Sequence, residues 1–322
     1  MSFDVILPFL RPIAHLIEDP DVSEIMVNGS RRIFVEREGA LQEVFDVQLD
    51  ERNLRVAVKN IARALGDDVS EEKPILDSRL PDGSRVAAVF PPCSVGGTTF
   101  TIRKFQARFF TCEELVRIGT MTPEVLATLQ TAIAAGKNVL ISGGTSTGKT
   151  TILNALATFL PADDRIVVVE DTAELRIDHA NLVRFEARRE QPDAPAVTIR
   201  DLLRATLRHR PDRIIVGEVR GGEAFDLLQA LNTGHAGTLS TIHANSAEQA
   251  LARLSSCVAQ SGVELPYQAV RQQIADAIHF VLHLHRRDRR RFVQELIAVG
   301  RYDPTRDCYV GETLFSSETP SP

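Results

Sequence analysis

"LISGGTSTGKTT", residues 140–151, is the stretch that decides the fold of the second half of the chain. An apolar run stops at Gly143, a glycine-rich loop follows, and the loop ends in Lys149 and Thr150 ahead of a stretch that reads as a helix. The spacing Gly143-x-x-x-x-Gly148-Lys149-Thr150 fits the P-loop pattern, with a strand before it and a helix after it. The chemistry calls for these residue types. Glycines let backbone N–H groups turn inward around phosphate oxygens where a side chain would obstruct them, and the helix N-terminus adds a partial positive charge. Gly143, Gly144, Thr145, Ser146, Thr147, Gly148, Lys149, Thr150 and Thr151 form the candidate nucleotide-binding set. Within it Lys149 can reach the β- and γ-phosphates, and the Thr150 hydroxyl can ligate Mg2+.

On either side of this loop, strands alternate with helices. Thr122 as N-cap, Pro123 at the first helical position and Gly136 as a left-handed C-cap predict a helix over 122–135. A strand at 138–142, a helix at 150–160, a strand at 165–170 and a buried strand at 213–219 follow. That alternation predicts an α/β domain over 122–315 with a doubly wound, mostly parallel sheet.

Residues 1–105 lack the alternation. A helix within Ile6–Ile17 precedes "SEIMVNGSRRIFVEREGALQEV", which reads as two or three short strands with turns at Asn28-Gly29 and Glu38-Gly39. Leu54, Val58, Ile61 and Leu65 predict a helix within Asp50–Gly66. "SRVAAVFPP" and "TTFTIRKF", separated by Gly96-Gly97, are strand-like, so this part is expected to be a small α+β domain. Residues 106–121 read as a less regular link. "IHFVLHLHRRDRRRFVQELIAVG" reads as a β-hairpin with a basic turn, and 316–322 as a disordered tail.

Composition excludes several classes. The 322 residues suffice for two cores, and a hydrophobic fraction of 43% with 25% charged residues is ordinary for a soluble globular protein. A net charge of −6 supplies no global basic field for nucleic acid, so direct nucleic acid binding is disfavoured. Cys93, Cys112, Cys257 and Cys308 are far apart, which argues against a disulfide framework or zinc knuckle. The N-terminus has no basic n-region, is interrupted by Asp4, Pro8 and Pro12, and no run approaches 18 apolar residues. The expected location is cytoplasmic, or peripheral to a membrane.

Two apolar strands deliver acids. "RIVVVEDTAEL" ends in Glu170 and Asp171, with Glu174 beyond, and "RIIVGEVRGGEA" carries Gly217-Glu218 where a metal-binding Asp is usual. Ligands of open parallel sheets collect at the C-terminal strand ends, so both carboxylates can face the γ-phosphate, one near Mg2+ and one orienting water. Either can instead cap the helix that follows. "TGHAGTLSTIHANS" adds His235 and His243 in what reads as a polar loop able to sense the γ-phosphate; a structural role is the alternative for each.

"GGTSTGKTT", "VVVEDTAEL", "RPDRIIVGEVRGGEA" and "NTGHAGTLSTIHANS", in this order and at these separations, resemble the Walker A, Asp, atypical Walker B and His boxes of the type II/IV secretion ATPases. Within that superfamily the chain looks most like the conjugal-transfer TrbB ATPases and their relatives in type IV secretion and Tad pilus assembly. "SEIMVNGSRRIFVEREG", "LPDGSRVAAVFPP" and "TIRKF" extend the likeness into the first domain, so that it covers about residues 20–300. Two departures favour the conjugation branch: no tetracysteine insert is present, and the N-terminal extension usual in Tad ATPases is absent.

The resemblance implies a RecA-like P-loop NTPase domain in a ring-shaped homohexamer, with ATP and Mg2+ bound between the two domains of each subunit. Lys149, Glu170, Glu218 and His243 become the catalytic set, with Thr150 and Glu218 at the metal and His235 at the nucleotide. Arg85 and Arg103 match the N-terminal arginines that close on the phosphates; surface ion pairing is their alternative. Arg210, Arg213 and Arg220 are candidates for contact with a neighbouring subunit. The expected partners are inner-membrane secretion or pilus components. The Arg286–Arg291 turn offers a peripheral contact with anionic lipid, next to the alternatives of a solvated turn or a DNA contact. The expected function is an ATPase powering secretion or conjugal transfer. The rivals are a pilus assembly or retraction motor and a nucleotide-gated DNA-binding scaffold.

Overall fold

The computed structural model describes residues 6–317 apart from 30, 38, 46, 106–108, 189, 191–193 and 289. The chain divides into two compact units, Met1–Arg108 and Phe109–Pro322.

In the first unit Pro8 and Pro12 sit at the first turns of two 3-10 helices, Leu7–Phe9 and Arg11–Ile13, so that only α1 (Ala14–Glu18) becomes α-helical. Strands β1 (Val22–Asn28), β2 (Arg32–Arg37) and β3 (Ala40–Val44) follow, with Gly29 and Gly39 at positive φ between them. Glu38 of the expected second turn lies outside the described residues. Helix α2 (Glu51–Ala64) starts where the Asp50 carboxylate accepts from the Asn53 N–H at 3.0 Å. Strands β4 (Ile75–Arg79), β5 (Arg85–Val89) and β6 (Thr99–Arg103) complete an antiparallel sheet in the order β3-β2-β1-β6-β5-β4. Leu54, Val58 and Ile61 of α2 share one core with Ile25, Val35, Val86, Phe100 and Ile102. Burying each such side chain stabilises the fold by about 1.5–3 kcal/mol.

The second unit opens with α3 (Cys112–Arg117), inside the stretch that reads as an irregular link. Its cause is local: Thr111 and Glu114 cap each other's backbone N–H groups in a capping box. Helix α4 (Pro123–Ala134) has the expected Thr122 cap. Next come β7 (Val139–Gly143), α5 (Lys149–Leu156), shorter than expected because it tightens into a 3-10 turn at Ala157–Phe159, and β8 (Ile166–Glu170). Then follow β9 (Leu182–Glu186), α6 (Ile199–Thr206), β10 (Arg213–Val219), α7 (Glu223–Asn232) and β11 (Leu239–His243). The unit closes with α8 (Ala247–Ala259), α9 (Tyr267–Ala277), β12 (Phe280–Arg287), β13 (Arg290–Ala298), β14 (Tyr302–Asp303), β15 (Cys308–Tyr309) and β16 (Glu312–Ser316). Strand β16 pairs with β13, so Ser316 is ordered into the sheet, whereas 318–322 lie outside the described residues.

The sheet order is β16-β13-β12-β7-β11-β10-β8-β9. The run from β12 to β9 is parallel throughout, and β13 and β16 add antiparallel strands at one side. Both faces are covered. Val167 and Val169 pack with α7 and α8, and Ile166 and Val168 pack with α4 and α5. This explains strands that read as unbroken apolar runs instead of alternating ones. At the far end of the unit, Arg271 of α9 lies among Tyr267, Tyr302 and Tyr309, with its guanidinium carbon 5.7, 5.3 and 4.3 Å from the three ring centroids.

One buried side chain ties three segments together at the N-terminal edge of the sheet. Asn138 Oδ1 accepts from the N–H groups of Gly237 (2.7 Å) and Thr238 (2.9 Å), and its Nδ2 donates to Ala277 O at 2.6 Å. Asn138→Ala leaves these buried groups without their partner. It should destabilise the unit by about 3 kcal/mol, read as a lower urea midpoint with an unchanged m-value.

Candidate nucleotide site

In a parallel sheet all C-terminal strand ends lie along one edge, and strand order decides which residues become neighbours there. Strand β11 separates β7 from β10, with His243 in register with Gly143. His243, expected in a polar loop, is therefore the last residue of a strand, set between the P-loop and Glu218. Lys149 Nζ donates to Gly143 O (3.1 Å) and Gly144 O (2.9 Å), and stands 3.4 Å from each His243 ring nitrogen. On the other side His243 Nε2 lies 2.7 Å from Glu218 Oε1. That approach is close but not aligned as a hydrogen bond, so the buried Oε1 keeps unused acceptor capacity. Glu218 Oε2 accepts from Arg220, at 2.6 Å from Nε and 2.5 Å from a terminal nitrogen.

Burial holds the Lys149 ammonium below the usual lysine range, with Glu218 opposing. Burial lowers the His243 pKa, Lys149 adds to the effect, and Glu218 again opposes. His243 is therefore neutral near pH 7 and can accept a proton or a hydrogen bond.

The loop between β7 and α5 fits a phosphate. Gly148, at φ +94°, is the N-cap of α5 and brings no capping side chain, so the first N–H groups of that helix are not consumed by one. A Cβ at Gly143 would lie 2.6 Å from Thr147 Oγ1 and 2.7 Å from Leu284 O, so only glycine fits. Thr147 Oγ1 donates to Gly144 O at 2.9 Å and braces the turn, while Thr145 and Ser146 are exposed. Thr150 and Thr151 begin the helix. Among the described residues no group of three His, Cys, Asp or Glu side chains could cage a metal. Mg2+ is ordinarily held by one or two protein oxygens together with the phosphates, and Thr150 with the free acceptor of Glu218 suits that pattern.

A model of the family described as "Type II/IV secretion system protein" matches residues 10–309. The chain belongs to this family. A probable conjugal transfer protein TrbB of Sinorhizobium fredii is 36% identical over 290 residues, spanning 89% of this chain and 86% of the relative. The type IV secretion system protein VirB11 of Brucella suis biovar 1 is 33% identical over 305 residues, spanning 86% and 84%. The crystal structure of the pilus retraction motor PilT with bound ADP shares the fold, with a TM-score of 0.60 at 20% identity over 95% of this chain and 82% of PilT.

In this secretion-family chain the second acid plays a different structural part from the first. Glu170 is 2% exposed. Its Oε1 accepts from Glu174 N and Leu175 N, each at 2.8 Å, and its Oε2 from Arg184 at 3.3 Å. It caps the loop after β8, not a helix. Burial raises its pKa, and the two backbone N–H groups and Arg184 pull the other way. A Cβ on Gly217 would sit 3.0 Å from Glu170 Cγ, which accounts for glycine immediately before Glu218.

The remaining site candidates are placed elsewhere. His235 caps the C-terminus of α7, its backbone N and its Nδ1 each 3.2 Å from Ala230 O. It precedes β11, whose 5 residues span about 13 Å at ordinary strand rise, and so lies near the opposite sheet edge from Lys149. Arg85 and Arg103 face each other across β5 and β6 in the first unit, where Arg103 Nε donates to Glu24 at 2.7 Å. Arg213, a candidate for contact with a neighbour, is turned inward onto Asp164 (2.6 Å) and Ile133 O (3.0 Å). Arg220 pairs with Glu218 and Asp171 of its own chain, and Arg210 is exposed at φ +52°.

Behind the loop the buried His283 places Nδ1 2.9 Å from Ser142 Oγ. Burial lowers its pKa, His285 and Lys149 act the same way, and Glu295 opposes. A histidine lowered on folding binds fewer protons in the folded than in the unfolded chain, so stability falls as pH drops below about 6.5. The urea midpoint should therefore decrease between pH 7 and pH 5, and less steeply in His283→Gln.

Proposed function

We propose that this chain is an ATP hydrolase powering type IV secretion or conjugal transfer. The observation that carries the reading is the convergence of Lys149, His243 and the unused acceptor of Glu218 on one glycine loop. The relatives lend support: one is a conjugal transfer protein, another a type IV secretion system protein, and PilT, alike in fold, holds ADP. Lys149 binds the phosphates as a point charge, and the N–H groups of the loop and α5 surround them. Thr150 and Glu218 would hold Mg2+, which when bound neutralises charge on the phosphate oxygens. The unused Oε1 of Glu218 serves that ion directly or through a water that it orients. Glu170, with both oxygens engaged, positions the 171–175 loop beside it. His243, standing between Lys149 and Glu218, registers the γ-phosphate by hydrogen bonding.

In the same reading Arg85 and Arg103 are nucleotide-binding residues, and the chain does its mechanical work as a homohexamer. No helix among the described residues is long and apolar enough to cross a membrane. Attachment to inner-membrane secretion components from the cytoplasmic side is the arrangement proposed.

Lys149→Ala should lower ATP turnover by 100-fold or more, roughly the loss expected for removing a main electrostatic group, with the urea midpoint little changed. Glu218→Gln should retain nucleotide binding and lose turnover to about the same extent. Full steady-state activity in purified Lys149→Ala would refute the site.

A further inference from the structure

The basic hairpin lies against the phosphate loop. Strand β12 pairs with β7 as far as Leu284 opposite Gly143, then runs on through Arg287 before β13 returns from Arg290. The hairpin therefore overhangs the sheet edge from which the P-loop springs. Arg291 Nε donates to Ser146 O at 2.9 Å, and a Cβ on Gly148 would lie 3.6 Å from Arg291 Cδ. Ser146 is a non-glycine residue in the left-handed region, at φ +58°, a conformation that costs about 1–2 kcal/mol and persists only when its surroundings hold it. In a trans peptide the C=O and the next N–H point to opposite sides. Fixing Ser146 O toward the hairpin, on the β12 side of β7, turns the Thr147 N–H toward the β11 side, where Lys149 and His243 stand.

We propose that Arg291 is a positioning residue of the nucleotide site: by holding the Ser146 carbonyl it orients the peptide whose N–H faces the phosphates. This rests on the nucleotide reading above. It gives Arg291, expected in a basic turn but paired in β13, a role other than contact with lipid. A guanidinium suits the task, because it keeps its charge and its donors in a fixed plane.

The test uses the full chain, with ADP affinity measured by calorimetry and ATP turnover at steady state. Arg291→Ala should weaken ADP binding about tenfold, the size of one charge-assisted hydrogen bond. KM for ATP should rise by a similar factor while kcat stays within about twofold, a split that loss of folded protein does not produce. Arg291→Lys should recover part of the affinity. Exposed Arg290→Ala, next to it at the start of β13, should change nothing. Unaltered ADP affinity in Arg291→Ala overturns the inference while leaving the nucleotide reading intact, and so does a defect confined to binding of phosphatidylglycerol vesicles. Absence of ADP binding by the unaltered chain overturns the nucleotide reading itself. If Arg291→Ala does not fold, Arg291→Gln, which retains a neutral donor, takes its place. Loss of fold in both variants overturns the inference, because the arginine would then serve the fold and not the loop.

Discussion

A lysine ammonium held away from water is the constraint on which this site depends. Lys149 is 8% exposed, so desolvation penalises its charge, and the surroundings must offset that penalty. Two loop carbonyls and the nearby Glu218 do so. Glu218 is in turn held by Arg220, and Arg220 by Asp171, so the charge is spread along a chain of partners that reaches from the P-loop to the end of β8. Placing these groups together requires a parallel sheet with β11 between β7 and β10. The covered faces of that sheet, and the long apolar strands they entail, serve the same end.

The glycine loop between β7 and α5 was legible because its pattern is local: nine consecutive residues contain the glycines, the lysine and the hydroxyls. The acids were legible for a related reason, since each ends an apolar run. His243 was read in the right company but in the wrong element, because its position beside Lys149 comes from strand order, which no local pattern encodes. His235 carries a similar glycine-flanked signature and lies near the other sheet edge, where it closes a helix. Spacing along the chain does not tell the two edges apart.

Arg184 and Arg291 show what stayed hidden. Arg184 reaches Glu170 from β9, a short edge strand whose half-buried residues give only a faint periodic signal. Arg291 was visible as part of a charge cluster, and its register against the P-loop follows from the pairing of β12 with β7. By contrast, α3 had a readable start in Thr111-x-x-Glu114. The inward turn of Arg213 could not be inferred from composition, since a buried arginine is recognised only through its partners.

The chain contains three tyrosines and no tryptophan, and all three rings surround Arg271 at the α9 end of the second unit. Absorbance at 280 nm and tyrosine emission of this protein thus come from a single corner. Melting of the short β14–β15 ribbon would dominate such a trace, while opening of the antiparallel sheet of the first unit would leave the tyrosine signal unchanged.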